Sequence, residues 1–219
     1  MYENGNGVAK DPALAVELYT KAAEQGYSLA QYNLGLMYGK GSGVAKDPAK
    51  TVELFTKAAE QGLPEAQYNL GVLYSKGIAV SPDPAKAVEF YTKAAEQGFA
   101  PAQYNLGVLY DQAYGVAKDP VKAFELYAKA ADQGYAMAQY NLGVKYALGN
   151  GVAKDSAKAV ELYTKAANQG HAAAEYNLGA AYLVGIGIER DQTVAISWIK
   201  KSADQGNPVA IDFVQKNGL

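Results

Sequence analysis

Apolar and polar positions along this chain fall at helical spacing, and the same arrangement returns every 36 residues. Residues 28–40, "SLAQYNLGLMYGK", place Ala30, Leu34 and Tyr38 four apart with Gly35 beside Leu34, which puts them on one face of a helix. Ala30 and Gly35 are small enough to predict close approach of a neighbouring helix, with Leu34 and Tyr38 filling the remaining volume as core. Residues 47–62, "DPAKTVELFTKAAEQG", predict a second helix with both ends marked. Asp47 is an N-cap, Pro48 sits at the first helical position where its missing N–H costs nothing, and Gly62 supplies the left-handed residue after the last turn. The next position holds Tyr27, Leu63, Phe99 or Tyr135 in four of the copies, the apolar contact of a Schellman-type stop. On the polar face, Glu17, Glu53, Glu89, Glu125 and Glu161 each precede a lysine by four residues, the favoured order for an intrahelical pair facing solvent.

The register never slips. Lys21, Lys57, Lys93, Lys129, Lys165 and Lys201 are spaced by 36 residues, as are Tyr2, Tyr38, Tyr74, Tyr110, Tyr146 and Tyr182. A helix pair of this size cannot bury its own apolar face, so the units must stack; the chain is predicted to be one all-α array of about six pairs. The expected units are a partial one over 1–26, then 27–62, 63–98, 99–134, 135–170 and 171–206, closed by a capping helix over 207–219. Connections such as "GSGVAKD" are short enough only for an antiparallel turn. Met1 and Tyr2 fall near the end of a first-type helix, so the chain reads either as a fragment of a longer array or as a start without a cap. Near-identity of the units also fits an engineered consensus array.

Composition narrows the function classes. A net charge of -2 from 20 basic and 22 acidic residues, with no long block of one sign, gives no electrostatic footprint for nucleic acid or an anionic membrane. The chain has no cysteine, which excludes disulfides and thiolate metal sites while leaving the compartment open. Neither a signal-like segment nor an apolar run of about 18 residues occurs, so the expectation is a soluble chain, cytoplasmic by default, with a periplasmic or secreted setting open to a fragment.

Taken in order, Ala30, Leu34, Gly35 and Tyr38, then Gly41, Gly43 and Val44, then Asp47, then Lys57, Ala58, Ala59 and Gly62 resemble the Sel1-like repeat, a relative of the tetratricopeptide repeat. The resemblance covers essentially the whole chain; in the last helix pair Asp212, Phe213 and Val214 replace "YNL", as suits a terminal repeat whose outer face meets water. It implies a right-handed α-solenoid, a superhelix of helix-turn-helix repeats, working as a scaffold or adaptor for other proteins. A cysteine-rich branch of that family is associated with β-lactam binding or hydrolysis, and the absence of cysteine weighs against membership.

The sharpest candidate site is an asparagine column, Asn33, Asn69, Asn105, Asn141 and Asn177. It lies on a stripe of the first helix, with Leu29, Tyr32, Leu36, Gly39 and Lys40, that the core does not use and that lines the concave groove in related solenoids. An amide both donates and accepts, so a ladder of amides can hold an extended peptide backbone. The neighbouring Tyr32, Tyr68, Tyr104, Tyr140 and Tyr176 either add contact area to that groove or wedge between repeats. Two columns vary amid near-identity, Leu29, Glu65, Pro101, Met137, Ala173 and Gly39, Ser75, Asp111, Ala147, Leu183, which suits partner selection or surface drift alike. The loops Ala79–Pro84 and Asp111–Gly115, with Tyr114, break the pattern and are candidate local contacts. The glycine loops at Gly41, Gly43, Gly149 and Gly151 lack the lysine and hydroxyl residue of a phosphate cradle. His171, the sole histidine, holds the post-glycine position and reads as a capping residue; with Glu175 it lacks a third ligand for zinc. The expected protein is therefore non-enzymatic, without cofactor or metal, binding a protein or peptide and neither nucleic acid nor the membrane interior. A monomer is expected, with end-to-end association open to the N-terminal end.

Overall fold

The computed structural model describes residues 9–219, which leaves the reading of Met1 and Tyr2 outside the described part. Among these residues the regular structure is helical: α1 (Pro12–Glu24), α2 (Ser28–Lys40), α3 (Pro48–Glu60), α4 (Pro64–Lys76), α5 (Pro84–Glu96), α6 (Ala100–Gln112), α7 (Pro120–Asp132), α8 (Ala136–Leu148), α9 (Ser156–Asn168), α10 (Ala172–Val184), α11 (Gln192–Asp204) and α12 (Pro208–Lys216). The chain groups into two compact units, one reaching Ala102 and including Tyr114–Val116, the other formed by Gln103–Ala113 and Ala117–Leu219. In the first unit α2 packs on α3 and α4 on α5; in the second α8 packs on α9 and α10 on α11.

The ends of the helices explain the period. The Asp47 carboxylate accepts from the Lys50 N–H at 3.0 Å, and Asp83, Asp119, Asp155 and Asp191 cap their helices in the same way; such a cap is worth about 1 kcal/mol. The Asp47 N–H in turn donates to the Tyr38 carbonyl at 3.0 Å, tying the start of one helix to the last turn of the helix before it. At the other end, the Gly62 N–H donates to Ala59 O at 2.9 Å and the Leu63 N–H to Ala58 O at 3.2 Å, the bond pair of a Schellman stop.

Small residues set how closely the helices pack. Ala66, Ala138 and Ala174, in the column of Ala30, are fully buried. A Cβ built on Gly71 would lie 2.6 Å from the Tyr91 ring, and one on Gly143 would lie 2.8 Å from the Tyr163 ring, so the glycine is required by an aromatic ring seated against the backbone. The Tyr38 column is half-buried rather than core. Its rings cover the join between the two helices of a pair while a lysine of the second helix lies over the outer face, Lys50 at 4.8 Å from Tyr38 and Lys86 at 5.0 Å from Tyr74. The deep aromatic positions are instead Phe55, Tyr91, Tyr127 and Tyr163 on the second helices.

A buried polar ladder stitches the pairs together. The Gln67 side chain, 5% exposed, donates to Ala59 O of α3 at 3.1 Å and accepts from Gln97, just past α5, at 2.7 Å. Gln139 repeats this in the second unit, donating to Ala131 O at 3.3 Å and accepting from Gln169 at 2.8 Å. Each buried amide thus bonds both the helix before it and the segment that ends the helix after it, and its polarity is satisfied without water.

Candidate binding surface

The stripe that the core leaves over runs along the first helix of each pair. Asn33, Asn69, Asn105, Asn141 and Asn177, with Tyr32, Tyr68, Tyr104, Tyr140 and Tyr176, all stand on it at partly buried positions. Several of these are bonded to one another. Asn69 Nδ2 donates to the Tyr32 hydroxyl at 3.1 Å, so an amide of one repeat grips a phenol of the repeat before it. Asn141 bonds the Tyr104 hydroxyl in the same relation and also reaches Tyr127, while Asn177 bonds Tyr163. Burial raises the Tyr32 and Tyr104 pKa values and the asparagine bond opposes that rise.

The tyrosine rings are wedges as well as surface. Tyr68 sits 5.8 Å from Tyr91 within its own pair and 5.4 Å from Phe99 of the next, and Tyr140 lies between Tyr163 at 6.0 Å and His171 at 4.7 Å. His171 Nδ1 also accepts from the Ala174 N–H at 3.2 Å, capping α10, and burial lowers its pKa. Tyr114 donates to the Ser75 carbonyl at 3.1 Å, which anchors its loop. Ala79 and Ala113 occupy left-handed backbone, φ 62° and 56°, where the other loops carry glycine. Gly43 lies where a Cβ would meet the Pro12 carbonyl at 2.3 Å, so this glycine serves the turn. Glu175, fully buried, accepts from Gln205 at 2.6 Å and pairs with Lys201 at 3.1 Å, in the place that glutamine holds in the other repeats.

Two cavities open on this stripe in the second unit, one register apart. The first, about 160 Å³, is lined by Asp111, Tyr127, Asn141, Val144, Lys145, Leu148 and Asn150. The second, about 340 Å³, has Ala147, Tyr163, Asn177, Ala180, Ala181, Val184 and Ile186 at the positions 36 residues on, and Lys154, Ser156, Ala159 and Val160 complete its wall. The tyrosine and asparagine are common to both, and the remaining lining residues differ. In the first, the buried Lys145 ammonium pairs with Asp111 Oδ1, while the Tyr127 hydroxyl donates to Asp111 Oδ2 at 3.1 Å. Burial first, and then the adjacent Asp111 carboxylate, push the Tyr127 phenol far above its ordinary pKa. Sequence reasoning placed Asp111 in a variable column but missed Lys145; the signal was a charge in the column of Met37, Leu73, Leu109 and Ala181.

The Sel1 repeat family model matches residues 1–27, 28–63, 64–99, 100–135, 136–171 and 172–207. The chain belongs to the Sel1 repeat family. Solved structures agree: a protective antigen of uropathogenic Escherichia coli with an SLR fold is 40% identical over 99% of this chain and 47% of that one, TM-score 0.91. A Sel1 repeat protein from Oxalobacter formigenes is 37% identical over 92% of this chain and 80% of that one, TM-score 0.82. An immunity protein from Pseudomonas aeruginosa is 28% identical over 93% of this chain and 80% of that one, TM-score 0.57. This chain therefore spans about half the length of the E. coli antigen. A search of curated proteins gave no match. Sel1 repeats build all-α solenoids that generally mediate protein interactions and are generally non-enzymatic. Among the described residues of this Sel1 repeat chain, no helix is long and apolar enough to cross a membrane.

Proposed function

We propose that this chain is a non-enzymatic scaffold that binds a protein partner, as an extended peptide segment, along the first-helix stripe. The observation that carries this reading is where the variation falls. The two cavities keep the same tyrosine and asparagine while the lining between them changes in kind: Asp111 becomes Ala147, Lys145 becomes Ala181, Leu148 becomes Val184 and Asn150 becomes Ile186. Equivalent places in the two cavities therefore offer a partner different chemistry within one frame. Leu148 and Val184 are 71% and 61% exposed at the rims, apolar surface that a partner would cover. Asn69 supports the same reading, because an amide that donates to the Tyr32 hydroxyl is held in one orientation and its oxygen is of the kind that accepts a peptide N–H.

The test is affinity capture from the host's lysate with the wild type, a Leu148→Glu/Val184→Glu variant, and an Asn69→Ala/Asn105→Ala/Asn141→Ala variant. The exposed rim positions leave the fold of the glutamate variant intact, and thermal unfolding checks both. A partner held by wild type and lost by the glutamate variant supports the stripe as the binding surface. A partner held equally by all three moves the site elsewhere, and capture of nothing by wild type favours a spacer without ligand.

A further inference from the structure

The cavity at Asp111 and Lys145 is chemically unlike any apolar groove. Its wall holds an ion pair whose members remain under-used. A lysine ammonium has three protons, and Asp111 Oδ1 takes one of them; a carboxylate offers about four lone-pair directions, of which Lys145 and Tyr127 occupy two. A buried ion pair is also a poor way to gain stability, since well-packed apolar residues at the same place do as well or better. Other repeats of this chain do without charge there, with Met37, Leu73 or Leu109 in the lysine column and Gly39, Ser75 or Ala147 in the aspartate column. The two charges come from positions 34 residues apart and meet at one cavity.

The chemistry of the wall selects its occupant. A carboxylate would meet Asp111 and an ammonium or guanidinium would meet Lys145, so either adds an uncompensated charge to a partly buried site. A neutral group carrying an acceptor and a donor side by side matches an ammonium and a carboxylate side by side. A primary carboxamide is such a group: its carbonyl accepts from Lys145 or Asn150 and its NH2 donates to Asp111. Val144 and the exposed Leu148 supply apolar wall for a methylene stem. The volume, about 160 Å³, is close to that of a cavity of about 150 Å³ that admits a benzene-sized group, which suits one side chain and excludes a folded element.

We propose that the Asp111–Lys145 cavity is a specificity pocket for an asparagine or glutamine side chain of the bound peptide segment. This rests on the peptide-scaffold reading above and deepens it. Asn141, on the same helix four residues before Lys145, would hold the peptide backbone beside the pocket, so the recognition of main chain and of side chain is adjacent.

A phage-displayed library of random peptides, selected on the full chain and in parallel on an Asp111→Ala/Lys145→Met variant, tests it. The substitutions are residues found at the equivalent places, Ala147 and Met37, and thermal unfolding verifies the variant. The expected result is a fixed Asn or Gln position in the peptides that wild type enriches. Synthetic versions with Asp, Glu or Leu at that position should bind wild type at least about tenfold more weakly, and the variant should not discriminate among them. Peptides without a carboxamide position, an enriched Asp or Glu, or discrimination that persists in the variant would each overturn the pocket while leaving the peptide scaffold standing. Enrichment of no peptide by wild type would overturn both.

Discussion

The two cavities of the second unit are the same construction with different linings. Tyr127 and Asn141 frame the first as Tyr163 and Asn177 frame the second, and both lie against a helix pair joined by the same aspartate cap and the same buried glutamine-type bond. Where the first has Asp111, Lys145 and Asn150, the second has Ala147, Ala181 and Ile186, and the volume grows from about 160 to about 340 Å³. The difference separates two jobs that share one helix. Tyr127 and Asn141, which bond across the helices, keep their identity at Tyr163 and Asn177. The other lining positions change by whole charges while the same helix pairing is kept.

The largest effect should come from breaking the charged lining one side at a time. Replacing Lys145 with alanine leaves Asp111 with the Tyr127 bond alone. Losing one member of a buried pair costs about 3–5 kcal/mol; because Asp111 keeps 25% of its side-chain surface in water, about 2–3 kcal/mol is expected, read as a shift in the urea midpoint. Adding Asp111→Ala to a Lys145→Met variant removes the ion pair, leaving uncharged residues at the two places where the second cavity has Ala147 and Ala181, and stability should return to within about 1 kcal/mol of wild type. Equal losses for the single alanine and the double variant would mean that the two charges are not coupled, and the comparison between a cavity with the ion pair and one without it would lose its energetic basis.

A smaller effect should distinguish frame from lining at two glycines. At Gly143 an added Cβ meets the Tyr163 ring at 2.8 Å and Ala159 O at 3.3 Å. Overpacking of about 1–3 kcal/mol outweighs the roughly 1 kcal/mol that alanine gains in helix propensity, so Gly143→Ala should destabilise by about 1 kcal/mol. At Gly39, in the column that also holds Asp111 and Ala147, the same Cβ meets only Thr51, at 3.5 Å. Gly39→Ala should therefore stabilise by about 0.5–1 kcal/mol. If both changes have the same sign, constancy of a column does not report contact between helices.

Much of this was legible in the sequence because repetition makes local rules visible many times over. The caps at Asp47 and Gly62, the helix lengths and the small column at Ala30 and Gly35 follow from backbone geometry that neighbouring residues decide among themselves. The glutamine ladder was not legible: Gln67 bonds Ala59 and Gln97, eight and 30 residues away, and nothing in either tripeptide context marks a glutamine as buried. Tyr38 and Phe55 were likewise exchangeable on pattern alone, since both recur at helical spacing and only the packing of the pairs decides which ring goes under the glycine. Lys145 carried a signal, a charge in an apolar column, but its meaning needed Asp111 from the preceding repeat. The tie from Asn69 to Tyr32 shows the limit from the other side, since a residue expected to face a ligand bonds the repeat before it.

The smallest effect concerns the wedge at Tyr140, whose ring packs on Tyr163 of the second cavity. His171 is the chain's sole histidine and stands where Phe99 and Tyr135 stand in other repeats, stacked on Tyr140 at 4.7 Å. Burial lowers its pKa in the folded chain; the nearby Glu175 carboxylate acts in the opposite direction and does not cancel it. The unfolded chain therefore binds the proton more readily, so the histidine's full contribution is present above the ordinary value near 6.5 and is lost as pH falls through the lower folded value. Protonation at Nδ1 would also remove the acceptor for the Ala174 N–H at the start of α10. Wild type should show a small drop in Tm between pH 7.5 and 5.5, and His171→Phe, which restores the ring of Phe99, should flatten that part of the profile. A variant that keeps the wild-type slope would place the titrating group elsewhere. It would also mean that the histidine ring is well hydrated against Tyr140, and that the wedge between these two repeats is looser than the one Tyr68 makes with Phe99.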